Sequence, residues 1–124
     1  MKEFAIRENH LFVKAYTKGK KYITDTVCIY VLKDLKAGKL RLDNPNKEYI
    51  NRIGFSASTK LGGAVIRNRV KRIMRAAYRA LVSDKPIKKG NLIVISARGG
   101  AVGSTSNKVQ RDLKRAFSKL ELFI

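Results

Sequence analysis

This chain of 124 residues has few acids, a single histidine, a single cysteine and no long apolar run, and each shortage excludes a class of function. The nine acids, Glu3, Glu8, Asp25, Asp34, Asp43, Glu48, Asp84, Asp112 and Glu121, are dispersed, and no pair has the spacing of a two-metal nuclease site. Asp43 and Glu48 could meet across a turn, but they read more simply as part of a solvated loop. His10 alone cannot supply a His-rich metal centre, and near a helix start it reads as a surface residue or cap. Cys28 alone cannot close an internal disulfide, which fits a reducing cytoplasm. No apolar run approaches the ~18 to 20 residues of a membrane span, and Met1 to Glu8 lacks the apolar stretch of a secretory signal. The expectation is therefore a cytoplasmic chain with no catalytic residue, no metal ligand and no membrane partner. Any hydrolysis it takes part in would draw its metal site from another molecule.

What the chain has is positive charge. Lys and Arg number 28, the formal net charge is +19 and the pI is about 10.5. The excess spans the whole chain, so it is not a detachable basic arm. A hydrophobic fraction of 44% fits a globular fold, and the length fits one domain over residues 1–124 with a real core. A globular domain this basic implies a polyanionic partner, nucleic acid first and an acidic membrane surface second.

The charge is most ordered between Ile66 and Arg79. At the helical period, Ile66, Val70, Ile73, Met74, Ala77 and Leu81 read as a core-facing stripe. Arg67, Lys71, Arg72, Arg75 and Arg79 read as the opposite face, with Arg69 at the margin. No acid occurs from Tyr49 to Ser83 to neutralise them. Like charges four apart destabilise an isolated helix, so such a face implies an external polyanion. The plain alternative is a solvated basic face, but those usually mix signs.

Around this helix the pattern predicts an α/β chain. Residues 8–18 read as a short helix with Leu11, Phe12, Ala15 and Tyr16 on one stripe and Gly19 as its C-cap; by spacing alone Phe12 and Tyr16 read as core. Thr24 to Lys33 is a strand apolar on both faces, so its second face should be partly covered. A polar connection follows to Tyr49, with Leu40 to Leu42 as a short strand. From Ile50 to Ser58, Ile53, Phe55 and Ala57 alternate with Arg52, Gly54, Ser56 and Ser58, which leaves one sheet face open and lined by small polar residues. The Gly62-Gly63 link leads into a helix over Ala64 to Val82, and lacks the ending of a nucleotide-hydrolase phosphate loop. Leu92 to Ile95 is a central strand buried on both sides. Ser104, Thr105 or Ser106 should cap a last helix carrying Val109, Leu113, Ala116, Phe117 and Leu120 inward.

The segment Lys60-Leu61-Gly62-Gly63-Ala64-Val65-Ile66-Arg67-Asn68-Arg69-Val70-Lys71-Arg72-Ile73-Met74-Arg75 resembles the signature of the bacterial ribonuclease P protein subunit. The Phe12-x-x-x-Tyr16 helix, Tyr30, the Arg52 to Ser56 strand and the Leu92 to Arg98 run agree in order, so the resemblance covers nearly the whole chain. It implies an α/β (α+β) two-layer sandwich, with helices on a mixed sheet of about four strands and a left-handed βαβ crossover through the basic helix, against the usual right-handed rule. It also implies a protein subunit that assists a catalytic RNA in removing the 5′ leader of precursor tRNA, in a holoenzyme that requires magnesium. The residues implied to contact the catalytic RNA are Lys60, Arg67, Asn68, Arg69, Lys71, Arg72, Arg75 and Arg79. Those implied for the precursor-tRNA leader are Phe12, Tyr16, Tyr30 and Ser56, which moves Phe12 and Tyr16 from core to base stacking. The chain departs from the family pattern at Thr59 and Gly63, where many members carry Lys and Asn, and at Gly99-Gly100, where a Pro-bearing turn is frequent.

Two other readings fit the charge. One is a ribosomal or general RNA-binding protein without a processing role. The other is a DNA-binding module, for which no partner helix of a helix-turn-helix is evident.

Overall fold

A computed structural model describes residues 4–5, 9–33, 51–88 and 90–124. The connection read as a short strand at Leu40 to Leu42 lies outside them. Strand β1 is Phe4–Ala5, helix α1 is Asn9–Lys18, β2 is Lys20–Ile23, β3 is Val27–Lys33 and β4 is Arg52–Ser56. A 3-10 turn over Thr59–Leu61 leads to α2, Ala64–Asp84, followed by β5, Asn91–Ala97, and α3, Ser106–Lys119. The sheet runs β1-β4-β5-β3-β2. β1 with β4 and β4 with β5 are parallel, whereas β5 with β3 and β3 with β2 are antiparallel. The mixed sheet expected from the sequence is present, with the two-residue β1 as an added edge. Parallel neighbours need a crossover, and α2 supplies it between β4 and β5.

The register sorts the side chains by face. Val31 pairs with Ile93, Ile29 with Ile95, and Ile53 and Phe55 with Ile93 and Ile95, so these share one face. Val70, Met74, Ala77, Tyr78, Leu81 and Val82 of α2 and Val109, Leu113, Ala116 and Phe117 of α3 cover that face and close the main core. Each large aliphatic chain buried here contributes about 1.5–3 kcal/mol. Tyr30, Leu32, Leu92 and Val94 point to the other face, where Leu11 and Ala15 of α1 pack on them. Apolar character on both faces of β3 thus has two causes: α2 and α3 beneath, α1 above.

Helix α1 ends where backbone crowds Gly19. Its N–H donates to the Ala15 carbonyl at 2.9 Å, and an added Cβ would lie 2.6 Å from that oxygen and 3.1 Å from the Val31 carbonyl oxygen. The chain then enters β2, which the sequence pattern does not separate from a loop. Its Lys20, Lys21 and Ile23 are exposed, so no alternation marks it. The turn into β3 is built by Thr24, whose N–H and Oγ1 both donate to the Val27 carbonyl at 2.8 Å. Thr26, also buried, donates through Oγ1 to Asp112 Oδ2 at 2.6 Å and so fastens α3 to the hairpin. Thr105 is the residue that caps α3, accepting from the Lys108 N–H at 3.3 Å.

Candidate nucleic-acid interface

One half of the site is the sheet face on the α1 side, which is buried at Arg52, Gly54, Leu92 and Val94 and partly exposed at Ser56. By register, Gly54 pairs with Val94 and Ser56 with Ser96, placing these positions on the α1 side and away from the main core. Cys28 pairs with Ser96 from the other neighbour, and Tyr30 with Val94. Above them the rings form a row. Phe12 and Tyr16, one helical turn apart, have centroids 6.4 Å apart, and Tyr16 meets Tyr30 edge-on at 4.8 Å. The Tyr16 hydroxyl is 3.3 Å from Ser96 Oγ. Tyr16 is 39% exposed, whereas Phe12 and Tyr30 are half-buried against Leu11, Ala15, Leu92 and Val94. The structure therefore brings Phe12, Tyr16, Tyr30 and Ser56 to one face, as the sequence groups them, and shows that Phe12 also packs on a small second core. Ser96 escapes a sequence reading because it follows an unbroken apolar run whose only local signal is burial.

The electrostatics of this face favour neutral rings. A hydrogen bond with the Cys28 side chain, followed by burial, pushes the Tyr30 hydroxyl pKa up to about 12. The buried Cys28 thiol beneath it is a free cysteine.

The other half is α2, and here the sequence reading needs correction. Arg69, Arg72, Arg75 and Arg79 are exposed, as are Asn68 and, in the preceding 3-10 turn, Lys60. Arg67 and Lys71 are half-buried instead of lying on the outer face. The helical pitch explains why. At about 100° per residue, Arg67 returns to within about 20° of Met74 and Lys71 to within about 60° of it, and Met74 is at the centre of the core stripe. Arg67 lies on the core meridian before Val70, and its Nε is buried with no hydrogen-bond partner among the described residues. Arg69, assigned to the margin, faces outward. Ile66, assigned to the core, is 40% exposed, while Tyr78 and Val82 are buried in the stripe. Arg75 sits over a ring: its guanidinium carbon lies 5.9 Å from the centre of the Phe55 ring, which itself packs edge-on against Tyr78. A cation held over an aromatic face keeps its charge while losing freedom.

The two halves are joined by β4. Its last residue, Ser56, belongs to the α1-side face, and the chain then passes through Lys60 into α2. One continuous segment therefore links the row of rings to the cationic strip. The arrangement can stack unpaired bases on one side and neutralise phosphates on the other. Among the described residues, no group of three His, Cys, Asp or Glu side chains could hold a metal ion.

A family model described as Ribonuclease P matches residues 1–121. The ribonuclease P protein component of Clostridium acetobutylicum is 36% identical over 124 residues, covering 100% of this chain and 94% of that protein. That of Clostridium botulinum (strain 657 / Type Ba4) is 37% identical over 120 residues, covering 97% and 93%. Among solved structures, the Staphylococcus aureus RNase P protein superposes with a TM-score of 0.72 at 26% identity, covering 99% of this chain and 100% of that one. The RNase P protein from Thermotoga maritima shares the fold, with a TM-score of 0.67 at 21% identity, covering 90% and 92%.

Proposed function

The chain belongs to the ribonuclease P protein family, and on that premise we propose that its two surfaces divide between two RNAs. As a family member it is the protein subunit of an endoribonuclease that removes the 5′ leader of precursor tRNA, with catalysis in the RNA subunit, and it associates with that RNA. The cationic strip of Lys60, Asn68, Arg69, Arg72, Arg75 and Arg79 is the surface for the catalytic RNA, with Arg67 and Lys71 reaching it from the half-buried flank. The face carrying Phe12, Tyr16, Tyr30 and Ser56 receives the leader of precursor tRNA. The observation that carries this division is the row of rings at 6.4 and 4.8 Å over a floor of small residues, on the sheet face away from α2. An extended single strand stacks on such rings with little sequence preference, whereas a duplex does not fit between a helix and a sheet.

Magnesium belongs to the RNA in this reading. Protein cations near the phosphates offset repulsion that magnesium otherwise screens, so they lower the magnesium requirement. The setting is the cytoplasm, where the buried single thiol of Cys28 stays reduced. No described helix is long and apolar enough to cross a membrane.

The test is reconstitution. RNA-free protein should leave precursor tRNA intact, and adding a bacterial catalytic RNA should give cleavage at magnesium concentrations where that RNA alone is slow. Magnesium-dependent hydrolysis by the protein alone, or no stimulation of any bacterial catalytic RNA, would overturn the reading. A general RNA-binding protein would bind both RNAs and stimulate nothing.

A further inference from the structure

At the end of the sheet remote from Ser56, a cleft of about 310 Å³ is lined by Lys18, Lys20, Lys33 and Lys88, by Asn91, and by Val31, Leu32, Leu120 and Leu122; Glu121 is the only acid among the described lining residues. Lys18 and Lys20 flank Gly19 where α1 gives way to β2, and the fold brings to them Lys33 from the end of β3 and Lys88 from the segment after α2. The wall is built by backbone pairing. Lys88 N–H donates to the Leu122 carbonyl at 2.6 Å, Ile124 N–H to the Pro86 carbonyl at 3.3 Å, and Ile87 bridges to Phe123. Asn91 is fixed from behind, its N–H donating to Asn51 Oδ1 at 2.9 Å.

Glu121 is a residue its own helix end should reject. It has φ of 58°, the only non-glycine positive φ among the described residues. Its N–H donates to the Ser118 carbonyl at 3.2 Å and the Leu122 N–H to the Phe117 carbonyl at 2.9 Å. This is the left-handed helix ending that glycine usually occupies. A side chain there costs backbone energy, and a carboxylate opposes the negative end of the helix dipole. Glu121 stands in the lining of the cleft together with the lysines and the apolar floor.

We propose that this cleft is a phosphate site, distinct from the ring-lined face and from the α2 strip. Its lysines take the phosphate oxygens as point charges, and Val31, Leu32, Leu120 and Leu122 take the body of an attached nucleotide. Phosphate is the chemistry that suits four ammonium groups and one competing carboxylate, because it carries more charge than a second carboxylate would. The phosphate has two possible sources, a free nucleotide and the backbone of a bound RNA.

The experiment is an amide NMR titration of the full chain with adenosine 5′-monophosphate, and in a second arm with a single-stranded RNA oligonucleotide. It is run on the parent, on Lys33→Gln/Lys88→Gln and on Glu121→Gln. Saturable shifts at Val31, Leu32, Asn91, Leu120 and Leu122 are expected in at least one arm. The double variant should weaken that binding roughly tenfold, and Glu121→Gln, which removes the competing charge but keeps the backbone conformation, should tighten it severalfold. Shifts with the mononucleotide assign a free nucleotide; shifts with the oligonucleotide alone assign an RNA backbone phosphate. Thermal melts of the variants verify that the lysines have been changed without unfolding. Shifts spread evenly over all basic surfaces, or equal affinity for the parent and both variants, would overturn the proposal.

Discussion

The Tyr16 hydroxyl lies 3.3 Å from Ser96 Oγ, joining α1 to the central strand β5 across the open end of the ring-lined face. In the proposed leader site the ring, rather than the hydroxyl, is the group expected to stack. Tyr16→Phe should therefore lower precursor tRNA binding by the assembled enzyme by less than about 1 kcal/mol, the size of one exposed hydrogen bond. Tyr16→Ala should cost roughly 1–3 kcal/mol, the worth of one base stacked on an aromatic ring. Equilibrium binding of precursor tRNA to the two holoenzyme variants measures both. Equal losses would make the hydroxyl the recognition group.

Tyr30 gives a pH signature. Its pKa of about 12 lies above the ordinary value of 10.0, first because of its hydrogen bond with Cys28 and then because of burial. A raised pKa means the native state holds the proton more tightly than the unfolded chain. The stabilisation is fully present below pH about 10 and is lost as pH rises from about 10 toward about 12. Tyrosinate absorbance should thus show a late-titrating component that Tyr30→Phe removes, and alkaline loss of stability should be shallower in that variant. An unchanged alkaline limb in that variant would remove Tyr30 as its cause. Near neutral pH the ring stays uncharged, as stacking beside a polyanion requires.

Much of this is readable from residues. The strand period of two sorts β4, sending Ile53 and Phe55 to the main core and Gly54 and Ser56 to the α1 side, but the open face expected over Arg52 to Ser58 is only partial, because Arg52 and Gly54 are buried and Ser56 is half-buried. The signature from Lys60 to Arg75 identifies the family. The azimuths of Arg67 and Lys71 are easily misread, because their charge suggests the polar arc. The pitch places Arg67 almost above Met74, and a long side chain at a helix start reaches solvent past the end of the core. Strand β2 is illegible for a different reason. As an exposed edge strand it carries lysines, which guard against further pairing and erase the apolar alternation. The placement of α1 opposite α2 and α3 depends on chain path, which a local pattern does not encode.

Asp112 is the acid that the fold uses. Its Oδ2 accepts from Thr26 Oγ1 at 2.6 Å and from the Thr26 N–H at 3.3 Å, and Thr26 is fully buried. Asp112→Ala leaves a buried hydroxyl and a backbone donor without their acceptor, so it should destabilise the protein by about 2–6 kcal/mol, from about 1–3 kcal/mol for each of the two unsatisfied groups. Asp112→Asn keeps an acceptor oxygen and should cost less. Urea unfolding of the two variants decides, and a loss below about 0.5 kcal/mol for the alanine would show that the interaction is dispensable.

The arginines of α2 should separate into two kinds under salt. Arg69→Ala, Arg72→Ala and Arg79→Ala remove exposed charges, so each should lower the magnitude of the salt-dependence slope for catalytic-RNA binding by about 0.7–0.9 for every phosphate left without its cation, while the thermal midpoint stays in place. Arg67→Ala also removes a half-buried stem, so its thermal midpoint should change as well. Arg75 has its own control: Phe55→Leu keeps an apolar side chain but removes the ring 5.9 Å beneath the guanidinium. It should weaken RNA binding less than Arg75→Ala while leaving the slope near that of the parent. Identical slopes for all these variants would disconnect the helix from the catalytic RNA.

Phe12 distinguishes the groove from the second core. Its ring is half-buried, packed with Leu11, Ala15, Leu92 and Val94 and 6.4 Å from Tyr16. Phe12→Ala should cost less stability than the ~3–5 kcal/mol of a fully buried phenylalanine, because part of the ring is already exposed. Phe12→Leu should recover most of that loss, since it refills the apolar space without a stacking face. The substrates then separate the two roles. Mature tRNA has no leader, so its affinity for the assembled enzyme should be the same in parent, alanine and leucine variants. Precursor tRNA should lose affinity in both variants, because neither carries a ring, even where leucine has restored stability. If leucine restores precursor binding along with stability, Phe12 acts through the core beneath α1, and the stacking surface reduces to Tyr16 and Tyr30.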